Sequence, residues 1–171
     1  MRDKIFLIGM PGTGKTTLGM LLAQKLKCAF FDLDYEIERE EGKTVSQIFN
    51  STGESHFREL ENKKLAHFVH QEQKFFVLAT GGGTPCFYDN LQLMLAAGDV
   101  IHVFTDIPIL SKRLNRKAGT RPLLKGKNVL ETINATWLAR RDFYQMAHFQ
   151  FDSSTHSLND LIAMLKNKKG S

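Results

Sequence analysis

Residues 4–22 constrain this chain more than any other stretch. An apolar run, Ile5 to Ile8, leads into a loop that spells G-x-x-x-x-G-K-T from Gly9 to Thr16, and Leu18, Leu21, Leu22 and Leu26 follow at helical spacing. Strand, glycine loop and helix in that order turn backbone N–H groups toward one point. Glycines let those groups converge without a Cβ in the way, and the first turn of the new helix adds its own unpaired donors. The arrangement suits the phosphates of a nucleoside triphosphate. In it Lys15 reaches the β- and γ-phosphates and Thr16 a Mg²⁺ ion. Gly12, Thr13, Gly14, Lys15, Thr16 and Thr17 are the candidate nucleotide-binding residues.

The rest of the chain alternates strand and helix patterns around that unit. A helix from about Gly14 to Lys27 precedes a second apolar run, Cys28 to Phe31, which ends in Asp32-Leu33-Asp34. A charged helix reaches Glu41 and stops at Gly42; Thr44 caps a short helix over Val45 to Asn50, and a longer one spans Ser55 to Gln71. A third strand, Phe75 to Ala79, runs into Gly81-Gly82-Gly83; a helix follows from Tyr88 to Ala97 with Gly98 as its stop, then a fourth strand, Asp99 to Phe104. Helix is expected over Ile107 to Asn115 and, capped by Asn128, up to about Met146. His148 to Phe151 and Leu158 to Lys166 read as a last strand and helix. Five such alternations without a linker predict one α/β domain over residues 1–171, a parallel sheet with helices on both faces. Ligands of such sheets bind at the carboxyl ends of the strands, where the loops at 9–16, 32–34 and 81–83 would meet.

Composition narrows the class without deciding it. Hydrophobic content of 42% and charged content of 24% suit a soluble globular domain, and a net charge of +5 suits small anions as well as nucleic acid. No run approaches membrane-spanning length, and the first apolar residues feed into the loop, unlike a signal peptide. Cys28 and Cys86 have no metal-type spacing and read as reduced cytosolic thiols.

Several side chains carry candidate chemistry. Asp32 and Asp34, two apart on an extended backbone, would leave the same side, one for a Mg²⁺ shell and one to orient or deprotonate a hydroxyl; two helix N-cap carboxylates would look the same. Arg58 and Glu61 are three apart on a helix, so an arginine fork could be held for a carboxylate, or the two could form a surface pair. Three successive glycines at 81–83 suit close approach of backbone to a ligand, or a loose turn. Leu130, Ile133, Trp137, Arg140 and Tyr144 step by three and four, which puts Arg140 on an inward stripe needing an anionic partner. The basic stretch 116–127, with Arg116, Lys117, Arg121, Lys125 and Lys127 between Gly119 and Gly126, has the makings of a phosphate-covering lid or of a solvated loop. His67 and His70 read as surface residues; Phe30, Phe31, Phe75 and Phe76 read as core.

Taken together and in this order, these motifs resemble shikimate kinase. The resemblance runs from about Lys4 to Tyr144 and rests on the Gly9–Thr16 loop, Asp32-Leu33-Asp34, Gly53-Glu54 with Phe57-Arg58 and Glu61, Gly81-Gly82-Gly83, and Arg121-Pro122-Leu123-Leu124. It implies a three-layer α/β/α P-loop kinase fold with a five-stranded parallel sheet, a mobile lid at about 115–127 and a shikimate-binding segment at about 32–62. It implies transfer of the ATP γ-phosphate to the 3-hydroxyl of shikimate, with Mg²⁺, in a cytoplasmic monomer of aromatic biosynthesis with no nucleic-acid or membrane partner. Carried onto this sequence, Asp34 would bind the substrate hydroxyls and act as base or orienter, and Lys15 and Arg121 would complete the catalytic set. Arg58 and Arg140 would clamp the carboxylate, Gly82 would contact the ring substituents, Phe49 and Phe57 would line the pocket, and Thr16 and Asp32 would hold Mg²⁺. Arg121 would also touch the ATP phosphates, and Arg116, with Arg113 as second candidate, would stack on adenine. The chain departs from the family pattern at Asp142, where Pro is usual, at Phe143, where Leu is common, and in a shortened stretch before Arg121. The competing readings are a small P-loop kinase acting on gluconate or a nucleoside monophosphate, and a regulatory or nucleic-acid-binding NTPase.

Overall fold

A computed structural model describes residues 2–71, 75–116 and 129–167. Five strands, β1 (Lys4–Ile8), β2 (Ala29–Asp32), β3 (Phe76–Ala79), β4 (Asp99–Phe104) and β5 (Phe149–Asp152), form one sheet in the order β2-β3-β1-β4-β5. Every pairing is parallel. Its three central strands are buried on both faces, which is why each reads as a continuous apolar run.

The side-chain alternation of the strands splits the core in two. Ile5, Leu7, Val77, Ile101 and Val103 face one way, onto α1 (Lys15–Leu26) and α7 (Leu158–Asn167). Phe6, Ile8, Phe76, Leu78 and Val100 face the other, onto α2 (Leu33–Glu41), α3 (Val45–His70), α4 (Asn90–Ala97), α5 (Ile107–Arg116) and α6 (Val129–Gln145). The helix α1 lies close on the sheet at Gly19, where a Cβ would stand 2.5 Å from Phe30 Cε2.

Local chemistry sets the helix ends. Asp32 caps α2 by accepting from the Asp34 and Tyr35 N–H groups, and Gly42 ends it at φ 64°. Thr44 and Gln47 form a reciprocal capping box at the start of α3. Gly53, at φ 84°, breaks α3 into the two expected segments without separating them. The expected elements are otherwise displaced by a residue or two. The short 3₁₀ turn Thr84–Cys86 was not anticipated, and α4 starts at Asn90 and not Tyr88, because Tyr88 adopts φ 50°.

Three expectations need correction. Asp34 lies in the first turn of α2 and not on extended backbone, so the two-residue strand spacing is not what juxtaposes it with Asp32. Leu130, placed on the inward stripe of α6, is 47% exposed; the stripe begins at Ile133. Phe30, Phe31 and Phe75 are only partly buried, since β2 is an edge strand and Phe75 precedes β3, while Phe76 is fully enclosed. His67 and His70 are exposed, as expected. No described helix is long and apolar enough to cross a membrane. Of the expected lid, residues 117–127 lie outside the described residues.

The turn between α4 and β4 generates a stability prediction. A Cβ on Gly98 would fall inside contact distance of the Lys4 carbonyl oxygen, and backbone at that point has no rotamer with which to yield. Gly98→Ala is expected to destabilise the fold by about 1–3 kcal/mol through overpacking, read as a lowered urea midpoint with unchanged slope. An unchanged midpoint would show that β1 and the turn can separate freely.

Candidate active site

The sheet register aligns the three loops. Ala79 of β3 pairs with Asp32 of β2 on one side and with Leu7 of β1 on the other. The carboxyl ends of these strands therefore lie side by side. The Gly9–Thr16 loop, the Asp32–Asp34 turn and the triple glycine all leave the same edge of the sheet.

On the loop after β1, Gly9, Gly12 and Gly14 have φ of 139°, 90° and 96°. These left-handed values are open to glycine at little cost. They curl the chain so that α1 starts at Lys15. The Lys15 ammonium is buried and donates to the carbonyls of Gly9 at 2.7 Å and Met10 at 3.0 Å. Thr13 is held by its own hydroxyl on the Met10 carbonyl, and its carbonyl accepts from Ser153 Oγ. Thr16 Oγ1 donates to Asp32 Oδ2 at 2.7 Å. Asp32 thus caps α2, one of the two readings left open by the sequence, and also accepts from Thr16. Two hard oxygen donors in contact beside a phosphate loop match the ligand preference of Mg²⁺, which commonly takes only one or two side chains plus phosphate oxygens and water.

Asp34 sits deeper. The residue retains partial exposure, but its Oδ1 is fully enclosed and has no hydrogen-bond partner among the described residues. Loss of water, then the negative charges of Glu61 and Asp32, push its carboxyl up to about 7, against a smaller opposing pull from Lys15. Gly81 makes this crowding possible: a Cβ there would lie 2.7 Å from Glu61 Oε1 and 2.9 Å from Asp34 Oδ1.

Arg58 is buried in α3 and held on several sides. Glu61 accepts from its Nη1 at 2.6 Å, and Glu54 from Nη2 at 2.7 Å and Nε at 3.1 Å. The expected Arg58–Glu61 pair therefore forms, but it is enclosed and joined by Glu54. Glu61, with no exposed surface, also accepts from Thr84 Oγ1. A Cβ on Gly83 would lie 2.7 Å from both Nη atoms of Arg58. Phe49 and Phe57 pack on each other at 4.8 Å, and the guanidinium carbon stands 5.9 Å and 5.5 Å from their ring centres.

Arg140 of α6 comes to the same edge. It is partly buried and lies within electrostatic reach of the Tyr144 hydroxyl and of Cys86, as does Arg58. Tyr144 in turn donates to the Gly82 carbonyl at 2.6 Å. Gly82 rests against the nucleotide loop, since a Cβ there would stand 2.7 Å from Pro11 Cδ. Asp142 is solvent-facing beside Arg141.

The structure thus brings together Lys15, Thr16, Asp32, Asp34, Arg58, Gly82, Arg140, Phe49 and Phe57. Arg121 lies outside the described residues, as does the side chain of Arg116. Arg113, the second candidate for the adenine, extends over the loop and donates to the Gly12 carbonyl at 3.4 Å.

Sequence reasoning missed several supporting residues. Thr84 had a signal that went unused, a hydroxyl directly after three glycines; Glu54 and Tyr144 entered as members of a motif and of a helical stripe, without the partners they hold. His102 had a weaker signal, a lone polar residue in an apolar strand. It is buried in β4, stacked at 4.9 Å on Tyr144 and 6.0 Å on Trp137, and hydrogen-bonded through Nδ1 to Gln150. Burial pushes its imidazole below the usual histidine range.

Comparison with known proteins bears on this geometry. The family described as "Shikimate kinase" matches residues 11–167. A shikimate kinase of Azobacteroides pseudotrichonymphae is 39% identical over 169 residues, covering 96% of this chain and 98% of that protein. The crystal structure of shikimate kinase from Bacteroides thetaiotaomicron superposes with a TM-score of 0.88 at 35% identity, covering 97% of this chain and 99% of that one. Shikimate kinase from Acinetobacter baumannii, solved in complex with shikimate, gives a TM-score of 0.89 at 32% identity, covering 99% of this chain and 96% of that one. With its nucleotide loop, carboxylate turn and triple glycine on one sheet edge, the chain belongs to the shikimate kinase family.

Proposed function

We propose that this protein transfers the γ-phosphoryl group of ATP to the 3-hydroxyl of shikimate, giving shikimate 3-phosphate and ADP on the way to aromatic amino acids. The observation that carries the reading is the acceptor side: a buried Arg58 held by Glu54 and Glu61, an Arg140 whose charge reaches the same Cys86 and Tyr144 as that of Arg58, and an enclosed Asp34 within electrostatic reach of both Glu61 and Lys15. A gluconate or nucleoside-monophosphate kinase would share the phosphate loop and gain nothing from this set. The reading treats residues 1–171 as one kinase domain, monomeric and cytoplasmic; the two free thiols, Cys28 and Cys86, accord with a reducing compartment.

The residues divide the work as follows. Backbone donors from Gly12 to Thr17 and the Lys15 ammonium bind the β- and γ-phosphates. To do so Lys15 exchanges its carbonyl contacts at Gly9 and Met10 for phosphate oxygens. Thr16 and Asp32 would hold Mg²⁺, which supplies neutralisation of phosphate charge when bound. Arg58 and Arg140 fix the acceptor by its carboxylate, with Phe49 and Phe57 against its apolar face. Gly82 offers its N–H to the ring substituents, because its carbonyl is taken by Tyr144. Asp34 accepts the hydroxyl proton or orients that hydroxyl for in-line attack; no covalent phospho-enzyme is needed. Arg121 adds charge at the transferring group, and Arg116 or Arg113 stacks on adenine. Positioning and electrostatics then supply the rate.

A coupled ADP-release assay with shikimate, gluconate, AMP and CMP tests the reading: turnover is expected with shikimate alone, and turnover with one of the others instead would replace it. Asp34→Asn should leave ATP binding intact and cut kcat by roughly 10²-fold or more; retained turnover would remove Asp34 from the chemistry. Because its carboxyl titrates at about 7 in the free enzyme, kcat/KM for shikimate should fall as pH drops through that value. The same shift has an opposite sign for folding. An acid raised on folding stabilises below its unfolded pKa, and that contribution is lost as pH rises through the folded value. Asp34→Asn should therefore be more resistant to urea than the parent at pH 8, and the difference should vanish near pH 4. Arg58→Ala or Arg140→Ala should raise KM for shikimate by about 10- to 100-fold, the range for a charged hydrogen bond, with KM for ATP unmoved.

A further inference from the structure

The 3₁₀ turn after the triple glycine places an aromatic ring that none of the roles above uses. Phe87 lies with its ring centre 4.3 Å from the guanidinium carbon of Arg58, closer than Phe57 at 5.5 Å or Phe49 at 5.9 Å. We propose that Phe87 is a positioning residue for the acceptor site: it stacks on the face of Arg58 and fixes the plane in which that arginine presents its remaining N–H groups to a carboxylate. The proposal rests on the reading of Arg58 as a carboxylate clamp.

The carboxylates leave one freedom unconstrained. Glu54 and Glu61 take Nε, Nη2 and one N–H of Nη1, all within the guanidinium plane. In-plane bonds fix the direction of the fork along α3, but they resist tilting about that line only weakly, because hydrogen-bond angles are soft. A ring on the face resists the tilt directly. Contact at 4.3 Å is close enough for the ring quadrupole to act on a charge that is largely withdrawn from water. The backbone at Gly83 is a second close neighbour, since even a Cβ there would collide with both Nη atoms. The guanidinium therefore has a glycine backbone as well as a phenyl ring against it.

The turn that carries Phe87 is itself fastened to the same cluster. Thr84 donates to Glu61, the Thr84 carbonyl accepts from the wholly buried Asn90, and Asn90 accepts from Asn62 of α3. Tyr88, immediately after the ring, is a non-glycine residue at φ 50°. That uncommon conformation turns the chain outward directly after Phe87, leaving Tyr88 57% exposed and Phe87 half-buried against Arg58. Phe87 makes no demand on substrate identity of its own. Its effect reaches the acceptor only through Arg58, which sets the form of the test.

The experiment is a double-mutant cycle on the whole enzyme with shikimate and ATP. Phe87→Leu keeps apolar bulk and removes the ring. It should raise KM for shikimate about three- to tenfold, the range of a partly desolvated cation–π contact, while kcat and KM for ATP move by less than about twofold. Phe87→Tyr, which keeps the ring, should restore the parent KM. In the Arg58→Ala background Phe87→Leu should add nothing, since the pair acts as a unit. An unchanged KM in Phe87→Leu, or full additivity with Arg58→Ala, overturns the proposal. Phe87→Met serves as a second ring-free variant if leucine lowers the melting temperature, and must behave as leucine is expected to. Should Arg58→Ala alone leave KM for shikimate unmoved, the clamp reading itself fails and this inference goes with it.

Discussion

One carboxylate with no exposed surface organises the acceptor side of this protein. Glu61 cannot remain charged in the interior without partners, and it has two of opposite kinds: the Arg58 guanidinium and the Thr84 hydroxyl. The first belongs to α3 and the second to the turn after β3. Satisfying a single buried charge therefore fixes the distance between a helix and a loop that are far apart in sequence. The same charge acts on a third group, Asp34, which it does not touch by hydrogen bond but whose proton it helps to retain. Support of the Arg58 fork, attachment of a glycine loop and a raised Asp34 carboxyl are consequences of one buried side chain. The expense of burying it is recovered as geometry.

The glycines serve this arrangement by being absent volume. Gly81 leaves room for the Asp34 and Glu61 carboxylates, Gly83 for the Arg58 fork and Gly82 for the Pro11 ring. Each member of the triplet faces a different neighbour, so the run is three separate close approaches and not a length of loose chain. Their conformational cost on folding is offset by contacts that no larger residue could allow.

Much of the fold could be read from the chain because parallel strands buried on both faces leave unmistakable apolar runs. The phosphate loop supplies its own strand and helix. Sheet order and register could not be read, as both depend on which apolar face meets which helix. The edge position of β2 explains why Phe30 and Phe31 mislead: an apolar run is as compatible with half-burial as with full burial. In the site, residues within named motifs were legible. Those that hold the motifs in place were not, because support is a three-dimensional property. Glu54 meets Arg58 as an i,i+4 neighbour on α3, a pairing that helical spacing allows, whereas Tyr144 reaches the Gly82 carbonyl only once α6 lies across the sheet edge. Asp34 stands beside Asp32 through a helical turn and not through strand alternation, which two-residue spacing alone cannot tell apart.

The contact between Gly82 and Pro11 has a consequence for how such an enzyme can change. The Gly9–Thr16 loop and the Gly81–Gly83 loop touch through backbone and a rigid ring, with no flexible side chain between them. With donor and acceptor bound at these loops as proposed, the separation of the two substrates would be set by the thickness of polypeptide, a length that no rotamer can alter. Walls on the acceptor side can be replaced one at a time while the gap across which phosphate must travel stays constant. A scaffold with such a built-in gauge can trade one acceptor for another without relearning the transfer itself.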